Sequence, residues 1–196
     1  MFFQTEKTIL SLKMNQESEI ARFYGGKGVF LTGGSGFLGK VLIEKLLRCC
    51  PNVLRVFVLI RPKNGQSGQQ RLESMLKSPV FERLRKEQPN QLNKVQPIGG
   101  DITFTELGIS FDELDVLINQ VNVVLHSAAT IRFDEPLKRA ININVRGTEQ
   151  VLRFCNKLKK LQVIKNVLNL VSSFLSNLID SFLPCLGICA RFDGLL

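Results

Sequence analysis

Tryptophan is absent from this chain, tyrosine occurs once, at Tyr24, and histidine once, at His126. Any chemistry that needs a tyrosine therefore has one candidate. The five cysteines, Cys49, Cys50, Cys155, Cys185 and Cys189, are odd in number and form no Cys-x-x-Cys pair. That argues against a zinc cluster and a disulfide framework, so no metal site is expected. Buried thiols in a reducing compartment are the better reading. No run reaches the ~18 charge-free apolar residues that a spanning helix needs. Met1 to Asn15, with Glu6, Lys7 and Lys13, lacks the long apolar core of a secretory signal. Residues 1–19 read as a ragged leader, expected to be disordered.

What is present looks globular. An apolar fraction of 44% and a charged fraction of 22% over 196 residues exclude collagen-like and wholly disordered chains. The length suits one domain with a buried core, with or without a tail. Lys and Arg total 26 against 17 Asp and Glu, a formal net charge of +9. Such a surplus suits anionic partners: a phosphorylated cofactor, nucleic acid or an acidic membrane face. Nucleic acid is the weakest of these, because the charges scatter from Arg55 to Lys165 with no aromatic-stacking motif beside them.

The pattern along the chain alternates strand and helix. Gly28–Thr32 is a short β-type run. Lys40–Arg48 carries apolar residues at 42, 43, 46 and 47, a helical spacing that Pro51 stops. Val53–Ile60, Lys94–Ile98 and Val121–His126 read as further strands, and Val167–Val171 as a fifth. Gln66–Gln91 is polar and mostly helical in pattern, Phe111–Asn119 is a short helix, and Ala140–Lys160 reads as one long helix. Alternation with continuously apolar strands implies βαβ units, hence an α/β doubly wound parallel sheet.

Thr32-Gly33-Gly34-Ser35-Gly36-Phe37-Leu38-Gly39 contains Gly-x-Gly-x-x-Gly at Gly34, Gly36 and Gly39, between a strand and a helix. In that context the glycines let the backbone approach a pyrophosphate, and the helix N-terminus offers N–H groups and a partial positive charge. The second strand ends in Arg61, with Lys63 close behind. Two cations where an NAD site usually places an acid favour a 2′-phosphate, so NADPH is the expected cofactor. Glu44 has the rough spacing of such an acid but lies inside the helix. Ligands of open α/β sheets bind beyond the carboxyl ends of the strands. There Asp101, followed by Ile102, is placed to accept from an adenine amino group. Ser127, Ala128 and Ala129 are small enough to let a cofactor lie against backbone. A lone histidine at a strand end, such as His126, is more often a satisfied structural group than a catalyst. Asn144 and Gly147 are poor helix formers inside the long helix and mark close approach to a ligand or a strand.

With these residues in view, the chain resembles the alcohol-forming fatty acyl-CoA reductases, a branch of the extended short-chain dehydrogenase/reductases. The likeness runs from about Ile20 to Lys160. It is carried by Phe23–Lys27, the run TGGSGFLGKVLIEKLLR from Thr32 to Arg48, LIRPK from Leu59 to Lys63, GDI from Gly100, HSAATIRFDEPL from His126 to Leu137, and NVRGT from Asn144 to Thr148. The resemblance implies a Rossmann-type NAD(P)-binding fold. It also implies NADPH-dependent reduction of a long-chain acyl-CoA to a primary alcohol through an aldehyde. It assigns Thr32, Gly33, Gly34, Ser35, Gly36, Phe37, Leu38 and Gly39 to the nucleotide loop, Arg61 and Lys63 to the 2′-phosphate, and Asp101 and Ile102 to the adenine end. Ala128 and Ala129 form the floor beneath the nicotinamide ribose. Asn144 matches the helix asparagine that helps to order the active site. Val171-Ser172-Ser173 looks like a strand-five segment whose hydroxyl polarises the carbonyl, with Ser173 the closer match. A long-chain acyl-CoA is the expected substrate. The expected setting is intracellular and cytosol-facing, in association with a peroxisomal or endoplasmic reticulum membrane surface.

After Asn177 the likeness fails. The Tyr-x-x-x-Lys pair that such reductases use for proton donation is absent. The organisation expected is a leader at 1–19, a partial NADP-binding domain at 20–177 and a divergent apolar tail at 178–196. The alternative to an active reductase is a module that binds the cofactor without catalysis.

Overall fold

The structure, a computed structural model, describes residues 18–63, 65–132 and 134–167. Five parallel strands form one sheet: β1 (Gly28–Thr32), β2 (Arg55–Ile60), β3 (Val95–Gly99), β4 (Val121–His126) and β5 (Val163–Asn166), in the spatial order β3-β2-β1-β4-β5. β1 is buried along its whole length, as a strand covered on both faces must be. The helices are α1 (Glu19–Tyr24), α2 (Phe37–Cys49), α3 (Gly68–Leu76), α4 (Glu82–Glu87), α5 (Phe111–Gln120), α6 (Leu137–Ile141) and α7 (Gly147–Cys155). Side-chain caps start three of them: Ser18 for α1, Ser67 with Gln70 for α3, and Ser110 for α5.

Strand alternation divides the core in two. Val29, Leu31, Val56, Val58, Ile60, Val123 and Leu125 meet Ile43, Leu46 and Leu47 of α2 on one face. Phe30, Phe57, Leu59 and Val124 meet Leu117, Val151 and Phe154 on the other. The Phe30 and Phe154 rings lie 4.8 Å apart between centroids. Each fully buried large apolar side chain contributes about 1.5–3 kcal/mol, and helices cover both faces. Among the described residues no helix is long and apolar enough to cross a membrane.

Three elements differ from the sequence reading. Gln66–Gln91 divides into α3, a 3₁₀ turn at Pro79–Phe81 and α4, because Pro79 starts a new turn and Pro89 stops the next. The expected helix Ala140–Lys160 starts at Leu137, carries a π-helical turn over Asn142–Arg146 and ends at Cys155. Tertiary contacts set that irregularity: Asn144 is bonded to Thr130 on one side, and Gly147 sits against Ile102 on the other. The structure places a fifth strand at Val163–Asn166, which the pattern did not announce, while residues 168–171 of the expected Val167–Val171 lie outside the described residues. Its position follows from pairing, with Val123 opposite Val163 and His126 opposite Asn166. Val167 still donates to the His126 carbonyl at 2.9 Å.

Candidate functional site

The chain builds β1, β2 and β3 toward one edge of the sheet and then crosses back to place β4 on the other side of β1. The carboxyl ends of β1 and β4 therefore flank the switch point, where an open α/β sheet offers a crevice. The loops after these two strands are in backbone contact. Ser127 N–H donates to the Thr32 carbonyl at 3.2 Å.

In the loop after β1 most glycines serve packing. Gly33 has φ +74°, and a Cβ there would lie 2.5 Å from the Ser127 carbonyl carbon and oxygen. A Cβ at Gly34 would strike Val58, and one at Gly39 would strike the Gly33 carbonyl. Gly36 is different, because its Cβ would meet only the Gly33 oxygen, at 3.3 Å. Gly36 is also the N-cap of α2 and provides no side-chain cap. The N–H groups of Phe37, Leu38 and Gly39 thus have no acceptor within the helix. Ser35, Gly36, Phe37 and Leu38 are exposed, whereas Thr32, Gly34 and Gly39 are buried. The exposed half is an anion cradle with a helix dipole behind it, and the buried half shapes it. Glu44 points into the fold and pairs with Arg48 at 2.6 Å.

At the end of β2, Arg61 and Lys63 are exposed. The Arg61 guanidinium lies 3.9 Å from Asp101, and Arg71 of α3 donates to the Arg61 carbonyl. Arg71 is a third cation at this corner, absent from the sequence reading. Its one signal there was its place on the first polar helix after the Arg61–Lys63 loop. Asp101 Oδ1 accepts from the Thr103 N–H and hydroxyl, each at 2.9 Å, so that oxygen holds its own turn. Ile102 is 5% exposed, and its side chain lies against Gly147.

After β4, Ala128 is half-buried and Ala129 exposed. Asn144 Oδ1 accepts from the Thr130 N–H at 2.9 Å, and its Nδ2 donates to the Thr130 carbonyl at 3.0 Å. His126 is buried between Thr32 and Thr148. Burial away from water holds its imidazole down at about 4. It cannot serve as an acid–base group near neutrality while so enclosed.

Tyr24 lies at the opposite end of the sheet, before β1, where Gly25 bridges to Val53. Desolvation raises its phenol, with Cys50 adding to the shift. Ser173 lies outside the described residues. Arg61, Asp101, the Gly33–Leu38 loop and Ala128–Thr130 thus all lie at the carboxyl ends of the strands, and Tyr24 does not.

Residues 31–182 match the NAD-binding family described as male sterility protein. The chain is 46% identical over 148 residues to fatty acyl-CoA reductase 1 of Xenopus laevis, covering 76% of this chain and 29% of that protein. The human fatty acyl-CoA reductase 1 is 44% identical over 148 residues, with the same coverages of 76% and 29%. The chain thus spans under a third of the length of these relatives. Among solved structures, the terminal R domain from the myxalamid PKS-NRPS biosynthetic pathway superposes with a TM-score of 0.57 at 27% identity, covering 70% of this chain and 33% of that one.

Proposed function

The chain belongs to the NAD-binding family described as male sterility protein, and from that premise we propose that it is the NADPH-holding part of a long-chain, alcohol-forming fatty acyl-CoA reductase. One observation carries the reading: an uncapped helix N-terminus, solvent-exposed at its cap Gly36, lies at the β1/β4 switch point of a chain whose β2 ends in Arg61 and Lys63. The residues fit a dinucleotide. The N–H groups of Phe37 and Leu38 hold the pyrophosphate, with Ser35 beside them. Arg61 and Lys63, with Arg71 alongside, hold the 2′-phosphate. The Asp101 carboxylate, whose Oδ2 faces the Arg61 guanidinium at 3.9 Å, stands at the adenine end, and Ile102 backs the same corner from the core. Ala128 and Ala129 floor the nicotinamide ribose. When bound, the cofactor supplies hydride to the acyl carbonyl.

Cys49 and Cys155 form no disulfide, which supports an intracellular, cytosol-facing setting where thiols stay reduced. Docking on a peroxisomal or endoplasmic reticulum membrane surface belongs to the same reading, and cell fractionation tests it. The test of the cofactor assignment is titration of the chain with NADPH and NADH, followed by nicotinamide fluorescence. Tighter NADPH binding is expected, and equal affinities overturn the choice of cofactor.

A second reading, cofactor binding without turnover by this polypeptide, is favoured by the position of Tyr24. The only tyrosine sits at the amino end of β1, away from the crevice. Incubation with NADPH and palmitoyl-CoA separates the two. Alcohol formation at the rate of a full-length reductase excludes the second reading, and none is expected, since losing a general acid costs about 10²–10⁴-fold.

A further inference from the structure

Three polar side chains, the first of them at the end of β1 where the nucleotide loop begins, form a line across the switch point that is buried at Thr32 and His126 and half-buried at Thr148. His126 Nδ1 lies 2.6 Å from Thr32 Oγ1, and His126 Nε2 lies 3.1 Å from Thr148 Oγ1. Thr32 is fully buried, and His126 is 3% exposed. The hydrogens in this line have one order that uses all of them. Thr148 has a single hydroxyl hydrogen and donates it to the Asn144 carbonyl at 2.7 Å. Its oxygen is then left to accept, so Nε2 carries the ring hydrogen. Nδ1 becomes a bare acceptor, and the Thr32 hydroxyl donates to it. The Thr32 oxygen accepts the Ala128 N–H at 3.4 Å. In the reverse order Nδ1–H faces Thr32, and the buried Thr32 hydroxyl hydrogen loses its acceptor among the described residues.

The line therefore reaches the loop after β4 from two sides. Thr32 holds Ala128, and Asn144, whose carbonyl receives Thr148, holds Thr130 through its side chain. We propose that Thr32, His126 and Thr148 are positioning residues: a neutral His126 with its hydrogen on Nε2 ties the ends of β1 and β4 to the long helix and sets the Ser127–Thr130 backbone as the floor for the nicotinamide end. This rests on the reading of the crevice as a nucleotide site. The partners of the ring are two neutral hydroxyls, so no charge offsets a proton added to it. Burial alone keeps it neutral down to about pH 4.

Because the chain has one histidine, ¹⁵N-histidine labelling of the whole chain reports on His126 alone. The expected spectrum is that of a neutral Nε2–H ring, unchanged from pH 7 to pH 5. Thr148→Ser retains that spectrum, and Thr148→Val, which keeps the shape and loses the hydroxyl, does not. NADPH titration is the second readout. Thr148→Val is expected to bind roughly ten-fold more weakly, as an orphaned buried donor implies, and Thr148→Ser to bind like the wild type. An Nδ1–H ring, or titration near the ordinary histidine value, overturns the proposal even where Thr148→Val does not fold. Wild-type binding in a folded Thr148→Val chain overturns the positioning role alone. A wild-type chain with the expected ring signature and no NADPH uptake overturns the nucleotide reading and the floor role with it.

Discussion

The loops after β1 and β4 face each other across the crevice and are held still by opposite means. The first is held by shape. Gly33 adopts a left-handed conformation, and Gly33, Gly34 and Gly39 each lack a side chain where neighbouring atoms already stand. The second is held by hydrogen bonds from Thr32 and Asn144, with His126 and Thr148 behind them. Shape is indifferent to pH, whereas a line of hydroxyls and an imidazole holds in one protonation pattern only. The loop after β1 is thus rigid by exclusion and the loop after β4 by hydrogen-bond order.

The strongest way to break this contrast is Gly33→Ala. The new Cβ would lie 2.5 Å from the Ser127 carbonyl atoms at φ +74°, so both loops suffer. A loss of about 4 kcal/mol or more in urea unfolding is expected. Gly36→Val is its counterpart: the fold survives, with a cost of about 1 kcal/mol or less, while NADPH binding is lost. Unfolding midpoints and cofactor titration on the pair separate shaping from contact.

The second effect concerns pH. His126 is held near 4 in the folded chain and titrates at its ordinary value of about 6.5 when unfolded. Between those values the unfolded chain binds more protons, so stability rises with pH. The contribution is complete above about pH 6.5 and is lost progressively as pH falls toward 4, amounting to roughly 3 kcal/mol. Urea midpoints from pH 8 to pH 5 should fall accordingly, and His126→Gln should flatten that slope.

Next in size is Arg61→Ala. A charge-assisted hydrogen bond to phosphate contributes about 1.5–3 kcal/mol, so most of the preference for NADPH over NADH should disappear, while NADH affinity stays. The smallest expected effect sharpens the comparison. Gly147→Ala places a Cβ 2.7 Å from Ile102 Cδ1. That side-chain end can shift, and alanine is the better helix former, so a net loss of about 1 kcal/mol is expected. Thermal unfolding measures it.

The two loops also differ in how plainly the sequence announces them. Glycines placed after a strand and before a helix state a backbone requirement directly, and β1 and β4 were readable residue for residue from their apolar runs. The packing role of Gly34 was not. Gly34 looked like a ligand-facing member of the motif, and only the position of Val58 shows that it serves packing. Arg71 reads as an ordinary cation on a polar helix until α3 brings it to the Arg61 carbonyl. β5 carries Lys165 and Asn166 among its four residues, so its pattern does not announce a strand, and pairing with β4 reveals it.

By itself, the sequence determined the doubly wound α/β class, the positions of β1 and β4, the glycine loop between strand and helix and the cationic end of β2. Each of these depends on local chemistry: periodicity, glycine conformational freedom and charge. Only the tertiary structure decided what encloses Gly34, where the long helix takes its π turn, and which groups His126 meets. Those depend on atoms far apart in the chain. Thr32, His126 and Thr148 are ordinary residues at ordinary positions until the fold places the two hydroxyls 2.6 Å and 3.1 Å from the nitrogens of a buried imidazole. There an unpaired hydrogen is costly and one arrangement prevails.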